Sequence, residues 1–379
     1  MSIRVPPATL LETRELSPPE KEIAPVACGS FLDLAPPGSR LLVIPYDTEV
    51  YRAEGFSPRD LPVTPNIAQA EACGSDVRPN MTRAEYLAKV RRIQEYIAAG
   101  DVYQVNLTMR WGVRTDATPE EIYQRLVAIN PAPYAALLNM TGWHGQTCLP
   151  VSWDRSHGQA ELAHGTQKNL SIISASPELF LDLSSNGRVT TRPIKGTRPR
   201  TGDPRKDAVG RRDLETSEKE RAELNMIVDL MRNDLGRVCE FGSVRVLDPG
   251  SIEEHPTVFH RVATVEGQLA KGKNWRDLLQ ATFPGGSITG APKIRAMQII
   301  KELEPTPRGI YCGCIGWVAP DGSIRLNIAI RTMVQVGDTV FVYAGSGIVA
   351  DSDPEQEYEE TRLKASAMFQ ALHREVPTG

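Results

Sequence analysis

Apolar residues recur at three- and four-residue spacing in Tyr86, Leu87, Val90, Ile93, Tyr96 and Ile97. A Thr82-x-x-Glu85 capping-box spacing precedes them and Gly100 follows, which predicts a helix. Strand-like runs come next at Val102–Arg110, Tyr134–Met140, Ser171–Asp182 and Val189–Ile194. Residues 141–170 are polar with little periodicity and read as a long surface excursion, an insertion. A second helix is predicted from the Ser217-x-x-Glu220 spacing to about Gly236, and Phe259–Leu269 reads as a strand. A third helix opens at Pro292 and carries Ile294, Met297, Ile299, Ile300 and Leu303. Then come three strands, Tyr311–Val318, Ile324–Gln335 and Thr339–Tyr343, joined by Pro320-Asp321-Gly322 and Gly337-Asp338 turns. The last helix follows Ser352-Asp353, has Pro354 in its first turn and runs to about Leu372. Strands outnumber helices and join mostly by hairpins, so the expected class is α+β with packed antiparallel sheets.

Residues 1–80 are the least regular, with 12 of the 29 prolines. Short apolar runs such as Leu41–Ile44 occur there, but 53–80 reads as loop. The expected division is a proline-rich region at 1–80 and one catalytic domain at 81–379. The 379 residues hold 43 basic against 47 acidic side chains, a net charge of −4. That balance has no footprint for coating nucleic acid or anionic membrane. No apolar run approaches the ~18 residues of a membrane span, and Met1–Pro7 has no apolar signal core. Six scattered cysteines without a Cys-x-x-Cys pair suit buried thiols in a reducing compartment, so a cytoplasmic location is expected.

Several segments could carry chemistry. Glu220 and Glu223 share a face of the second helix, and Glu357 and Glu360 a face of the last, with Lys364 one turn on. Two solvated helix faces would look the same. Together, however, the four could make an oxygen-only cage without histidine, which suits Mg²⁺. Pro284–Lys293 is a glycine-rich turn feeding a helix, able to receive an anion but lacking the Gly-Lys-Ser/Thr of a nucleotide loop. Lys195 stands among Arg192, Arg198 and Arg200, whose charges would disfavour its ammonium form and free an amine nucleophile; a basic solvated loop is the plainer alternative. Glu178 sits in an apolar run where desolvation would raise its pKa and suit it to donate a proton. Period-2 alternation through Arg325–Arg331 puts Arg331 on a polar face, placed to fork a carboxylate. His260 lies in a strand, where a lone histidine is often structural.

Read jointly, these segments resemble the chorismate-utilising enzymes, the family of anthranilate, aminodeoxychorismate, isochorismate and salicylate synthases. The resemblance covers about residues 80–372 and follows the family's block order. The early blocks are Gly100–Leu107, Ser176–Leu179, Pro193–Arg200, Lys219–Glu223 and Asp229–Gly236. The later ones are His260–Val262, Phe283–Lys293, Ala344–Val349 and Glu357–Thr361. The resemblance implies a four-layer α/β/β/α sandwich with two packed, mostly antiparallel sheets. It implies direct Mg²⁺ ligands at Glu223 and Glu360, outer carboxylates at Glu220 and Glu357, and a general acid at Glu178. Arg331, Tyr311, Lys364 and the backbone of Gly345, Ser346 and Gly347 match groups that receive substrate carboxylates. Thr197 and His260 also fall at positions of the substrate site.

Two positions discriminate within the family. Members that activate water carry a lysine base where this chain has Gln104. Anthranilate synthases usually carry alanine where this chain has Lys195, as the large subunit of aminodeoxychorismate synthase does. The implied activity is Mg²⁺-dependent amination of chorismate at C4. No Gly-x-Cys-x-Gly glutaminase nucleophile appears, Gly313-Cys314-Ile315-Gly316 missing the spacing, so ammonia is expected from a glutamine amidotransferase subunit. Leu10-Leu11-Glu12-Thr13 only approximates the Leu-Leu-Glu-Ser element of members that bind tryptophan. The rivals are anthranilate synthesis, a silent amidotransferase-binding subunit, and an Mg²⁺-dependent nucleotide hydrolase.

Overall fold

The computed structural model describes residues 11–15, 31–47, 77–140, 152–153, 160–161 and 170–378. Two antiparallel sheets form the middle of the molecule. The first contains β1 (Leu11–Glu15), β2 (Arg40–Ile44), β9 (Leu179–Leu183), β10 (Arg188–Arg192), β11 (Ile194–Pro199), β12 (Arg245–Glu254), β13 (Val258–Gln268), β15 (Cys314–Val318) and β16 (Ile324–Ile328). Its order is β1-β2-β15-β16-β9-β10-β13-β11, with β12 also on β13. The second contains β3 (Val77–Pro79), β4 (Gln104–Arg114), β5 (Tyr134–Met140), β8 (Leu170–Ser176), β14 (Gly290–Ala291), β17 (Thr332–Val336) and β18 (Thr339–Ile348). Its order is β14-β4-β18-β17-β8-β5, with β3 on β4. The short pair β6 (Ser152–Trp153) and β7 (Ala160–Glu161) stands apart, inside the stretch expected to be a surface excursion.

Seven helices cover the outer faces among the described residues. They are α1 (Arg83–Ala98), α2 (Pro119–Ile129), α3 (Pro204–Thr216), α4 (Glu218–Gly236), α5 (Trp275–Thr282), α6 (Lys293–Leu303) and α7 (Pro354–Ala371). Helices α1, α2, α6 and α7 lie on the second sheet; α3 and α4 lie on the first. One apolar cluster runs through both, from Leu326 and Phe180 to Leu107, Val342 and Phe369. The result is the four-layer α+β arrangement. Thr82 starts α1 with the reciprocal capping box expected, its hydroxyl accepting from Glu85 and its N–H donating back. Ser217 caps α4 but only one way, because the Glu220 carboxylate turns aside to Arg198.

Several expectations are corrected. Ser171–Asp182 is two strands, not one, because Pro177 has no N–H to continue the ladder. Ile324–Gln335 likewise divides, β16 in the first sheet and β17 in the second. The two switches run side by side: Ile328 N donates to Glu178 O at 3.1 Å, Ala175 N to Arg331 O at 3.0 Å, and Ser176 Oγ to Ile328 O at 2.5 Å. Glu178 and Arg331 therefore sit at a paired crossover between sheets, neither within a strand. Arg331 has φ 48°, a left-handed value that removes it from the period-2 face on which alternation placed it. The strand read from Tyr311 begins at Cys314. Residues 77–79, read as loop, pair with β4, and β2 carries Leu41–Ile44 beside β15. Leu10 and residues 48–76, with most of the proline-rich region, lie outside the described residues, as do the side chains of β1 and residues 141–151.

No helix among the described residues is long and apolar enough to cross a membrane. Cys239, Cys312 and Cys314 are buried free thiols.

Candidate active site

Lys195 is the hub. It projects from β11, and its Nζ lies 3.5 Å from Glu223 Oε2 on α4, both side chains largely buried. Across the gap stands β18. A Cβ placed on Gly347 would lie 3.4 Å from Lys195 Nζ and 2.3 Å from Gln104 Nε2, so the missing side chain lets amine and carboxamide cross this strand. Gln104 has no exposure, and neither of its amide atoms has a hydrogen-bond partner. Such groups are rarely left so, and their orientation beside the amine suits a polar ligand.

The arginines around Lys195 are not its neighbours in charge. Arg192 pairs with Glu253, Arg198 with Asp213 at 2.6 Å, and Arg200 with Glu254 at 3.9 Å. The expected cationic environment is corrected: the nearest charge to the ammonium is the Glu223 carboxylate. Lys195 also lies in a strand, not a loop. Gly196, next along, has φ 85°, and a Cβ there would fall 2.6 Å from Leu214 Cδ1 and 3.1 Å from the Glu220 carboxyl. Only glycine lets Leu214 of α3 and Glu220 of α4 approach β11 this closely. Opposite it, the β11–β13 register sets Thr197 against His260, and Thr197 Oγ1 meets His260 Nδ1 at 2.9 Å. Burial, with Arg331 and His255 adding, pushes the His260 pKa down from 6.5 to about 3. The imidazole is neutral at ordinary pH and serves as the hydrogen-bond partner of Thr197.

Glu178 is buried at the crossover, and Ser287 Oγ donates to its Oε1 at 2.7 Å. Burial pushes its carboxyl up from 4.5 to about 7, against the pull of the Ser287 hydroxyl, the Lys195 charge and the Ile194 backbone. Its neighbour at the crossover, Arg331, donates through Nη1 to Asn130 Oδ1 at 2.6 Å, and burial lowers its pKa.

The four glutamates expected to hold metal each lean on a cation. Glu223 faces Lys195, Glu220 faces Arg198 at 3.4 Å, Glu360 faces Lys364 at 2.6 Å, and Glu357 faces Lys219 at 3.9 Å. Burial pushes Glu360 up, but Lys364, Lys219 and Lys195 together bring it below its ordinary value. The Glu357–Lys219 contact joins α4 to α7. Among the described residues no group of three or more acidic, histidine or cysteine side chains is gathered closely enough to hold a metal. Four carboxylates repel at short range, and here lysines and an arginine take up their charge. The donor set still fits a hard cation. Glu357 is nearly fully buried, accepts from Ser352 on Oε1, and has Oε2 without a partner. Such an oxygen suits an ion or its water.

Of the remaining expected residues, Lys364 Nζ donates to Gly345 O at 3.2 Å, and Ser346 shares a buried hydroxyl cluster with Tyr86 and Thr361. Tyr311 is buried and stacked on Tyr343 with ring centroids 5.2 Å apart. Pattern reading missed Ser287, Asn130 and Lys219. Ser287 could have been found as the one hydroxyl between the glycines and Ile288.

A family model for chorismate binding enzymes matches residues 47–370. The chain belongs to that family. Among curated relatives of the chorismate binding enzymes, anthranilate synthase component 1 of Streptomyces coelicolor is 44% identical over 296 residues, 78% of this chain and 52% of that protein. Aminodeoxychorismate synthase component 1 of Escherichia coli is 42% identical over 300 residues, 79% of this chain and 60% of that one. The chain thus spans less than two thirds of the length of these relatives. The crystal structure of anthranilate synthase component I from Streptococcus pneumoniae superposes with a TM-score of 0.64 at 33% identity, covering 84% of this chain and 64% of that chain. The chain shares its fold with that structure.

Proposed function

We propose that this chain aminates chorismate at C4, giving 4-amino-4-deoxychorismate, with Lys195 as nucleophile and Glu178 as general acid. The observation that carries the reading is the amine of Lys195 held between Glu223 and the unpartnered Gln104 amide, with its charge acting on the buried Glu178. The Lys195 amine, its ammonium proton passed to the adjacent Glu223 carboxylate, forms a bond to C2 as the C4–O bond breaks. Hydroxide is a poor leaving group, so the Glu178 proton goes with that oxygen and water departs. Ammonia then bonds to C4 and the lysine amine is expelled from C2. Arg331 receives a substrate carboxylate, as does the backbone from Gly345 to Gly347. Glu223 and Glu360 would hold Mg²⁺, with Glu220 and Glu357 behind them. Bound there, the ion supplies charge neutralisation for a substrate carboxylate as electrons shift through the ring.

Ammonia would come from a glutamine amidotransferase partner, a reading that the "component 1" names of the relatives and the missing glutaminase nucleophile support. A cytoplasmic site suits the free thiols. Anthranilate formation is the second reading, favoured by the comparable identity to relatives of that name. The test is incubation of the purified chain with chorismate, Mg²⁺ and ammonium, with products identified by mass. Aminodeoxychorismate without pyruvate is expected. Anthranilate with pyruvate would replace the reading with its rival, and no turnover would favour a silent subunit.

A second outcome concerns Gly347→Ala. The new methyl must displace the Gln104 amide, the far end of a flexible side chain, rather than backbone. The fold should survive, with Tm little changed. Shifting Gln104 and Lys195 by about 1 Å should lower kcat/KM about a hundredfold. A variant of ordinary activity would separate this strand from the reaction.

A further inference from the structure

We propose that Ser287 is a positioning residue for Glu178, fixing the carboxyl so that one chosen oxygen presents the transferable proton. The inference rests on the reading of Glu178 as general acid. A glutamate carboxyl turns readily about its last bond. In this dry position a donor left without its acceptor would be costly, so the Ser287–Oε1 bond at 2.7 Å resists that rotation. With Ser287 donating to Oε1, the proton is left to Oε2.

The hydroxyl cannot follow the carboxyl, because its loop is fastened on every side. Residues Gly286–Ile288 form a single 3₁₀ turn. A Cβ on Gly285 would lie 2.6 Å from Ile328 Cδ1, and one on Gly286 2.7 Å from Leu230 Cδ2, so bare glycine backbone presses on both neighbours. Arg308 Nη1 donates to Ile288 O at 2.7 Å, and Asn106 N to Thr289 O at 2.8 Å. Where α6 begins, Lys293 Nζ donates to Asp234 Oδ2 at 2.5 Å and to Thr282 O at 2.7 Å, clasping both ends of the loop. The glycine-rich turn, which the sequence left open as an anion nest, thus acts as a rigid mount for one hydroxyl. The charge acting on Glu178 is Lys195 on β11. Ser287 and the Ile194 backbone add their pull in the same direction, toward the carboxylate.

The test is Ser287→Ala, with Ser287→Thr as the variant that keeps the hydroxyl. Two readouts are needed: titration of the Glu178 carboxyl by infrared or ¹³C spectroscopy, identified by its loss in Glu178→Gln, and the pH profile of kcat/KM. Losing the donor should move the Glu178 midpoint, and the alkaline limb with it, upward by about one pH unit. The kcat should fall about tenfold while KM stays nearly constant, and Ser287→Thr should restore both. A purely structural serine would change Tm and leave the midpoint in place. If Ser287→Ala does not fold, Ser287→Cys, with its weaker donor, should show a smaller upward shift. A midpoint unmoved in the folded variant overturns the proposal. Wild-type protein that fails to turn over chorismate would remove the proposed function alone, since the titration still decides the role of Ser287.

Discussion

Replacing Lys195 by alanine is expected to lower chorismate turnover by about a thousandfold or more while leaving the fold intact. The lysine reaches several parts of the site. It pairs with Glu223 at 3.5 Å, shares the Gly347 gap with Gln104, and its charge acts on both Glu178 and Glu360. Removing it would delete the proposed nucleophile and leave Glu223 without its cation. Covalent catalysis adds a second readout. With chorismate and Mg²⁺ but no ammonia, the step that expels the lysine cannot run, so the wild-type chain should accumulate a ring adduct on Lys195 visible in the intact mass, and Lys195→Ala should never show it. An alanine variant within tenfold of wild type and forming the same product would show that ammonia attacks chorismate directly.

The parts of the fold legible in the sequence are those with one wet and one dry face. Helix α1 shows its apolar stripe because only Tyr86, Leu87, Val90 and Ile93 are buried. Helix α3 has a single buried residue, Leu214, and so no stripe to read; α5 has eight residues, too few for a period. The sheet switches were hidden for the opposite reason. Both β8 and β9 are buried almost throughout, so the apolar run continues across the change of sheet with Pro177 as its only mark. Strand β4 was read only as a strand. Its residues alternate polar and apolar as in a half-exposed strand, yet Gln104, Asn106, Thr108 and Arg110 are all buried, so the pattern marks the strand and hides the burial of its polar row.

The candidate site follows the same logic. The glutamate pairs were visible because i, i+3 spacing is a local property. The Thr197–His260 contact depends on strand register across 63 positions, which no local pattern contains. Counting arginines around Lys195 failed because side chains answer to distant partners: Glu253, Asp213 and Glu254 claim all three. Family resemblance supplied the long-range information that periodicity lacked.

Glu178→Gln should separate activity from stability, with opposite signs. Glutamine keeps the shape but has no proton to give, so kcat should fall by about 10²–10⁴-fold, and the alkaline limb that the acid imposes near pH 7 should vanish. Stability should move the other way. The folded pKa of about 7 lies above the ordinary 4.5, so the fold prefers the protonated form. That preference is fully present below 4.5 and is lost as pH rises through 7, where an ionised carboxylate must stay buried. The difference of about 2.5 units corresponds to about 3 kcal/mol. At pH 8–9 the glutamine variant should therefore unfold at higher denaturant than wild type, while at pH 4 the two should nearly coincide. A structural glutamate held by favourable ion pairs would give the reverse, a variant weakened at high pH. The combination of lost turnover and gained alkaline stability is thus what marks a carboxyl kept in a costly place for the sake of its proton, and equal stability across pH would argue that Glu178 ionises without strain.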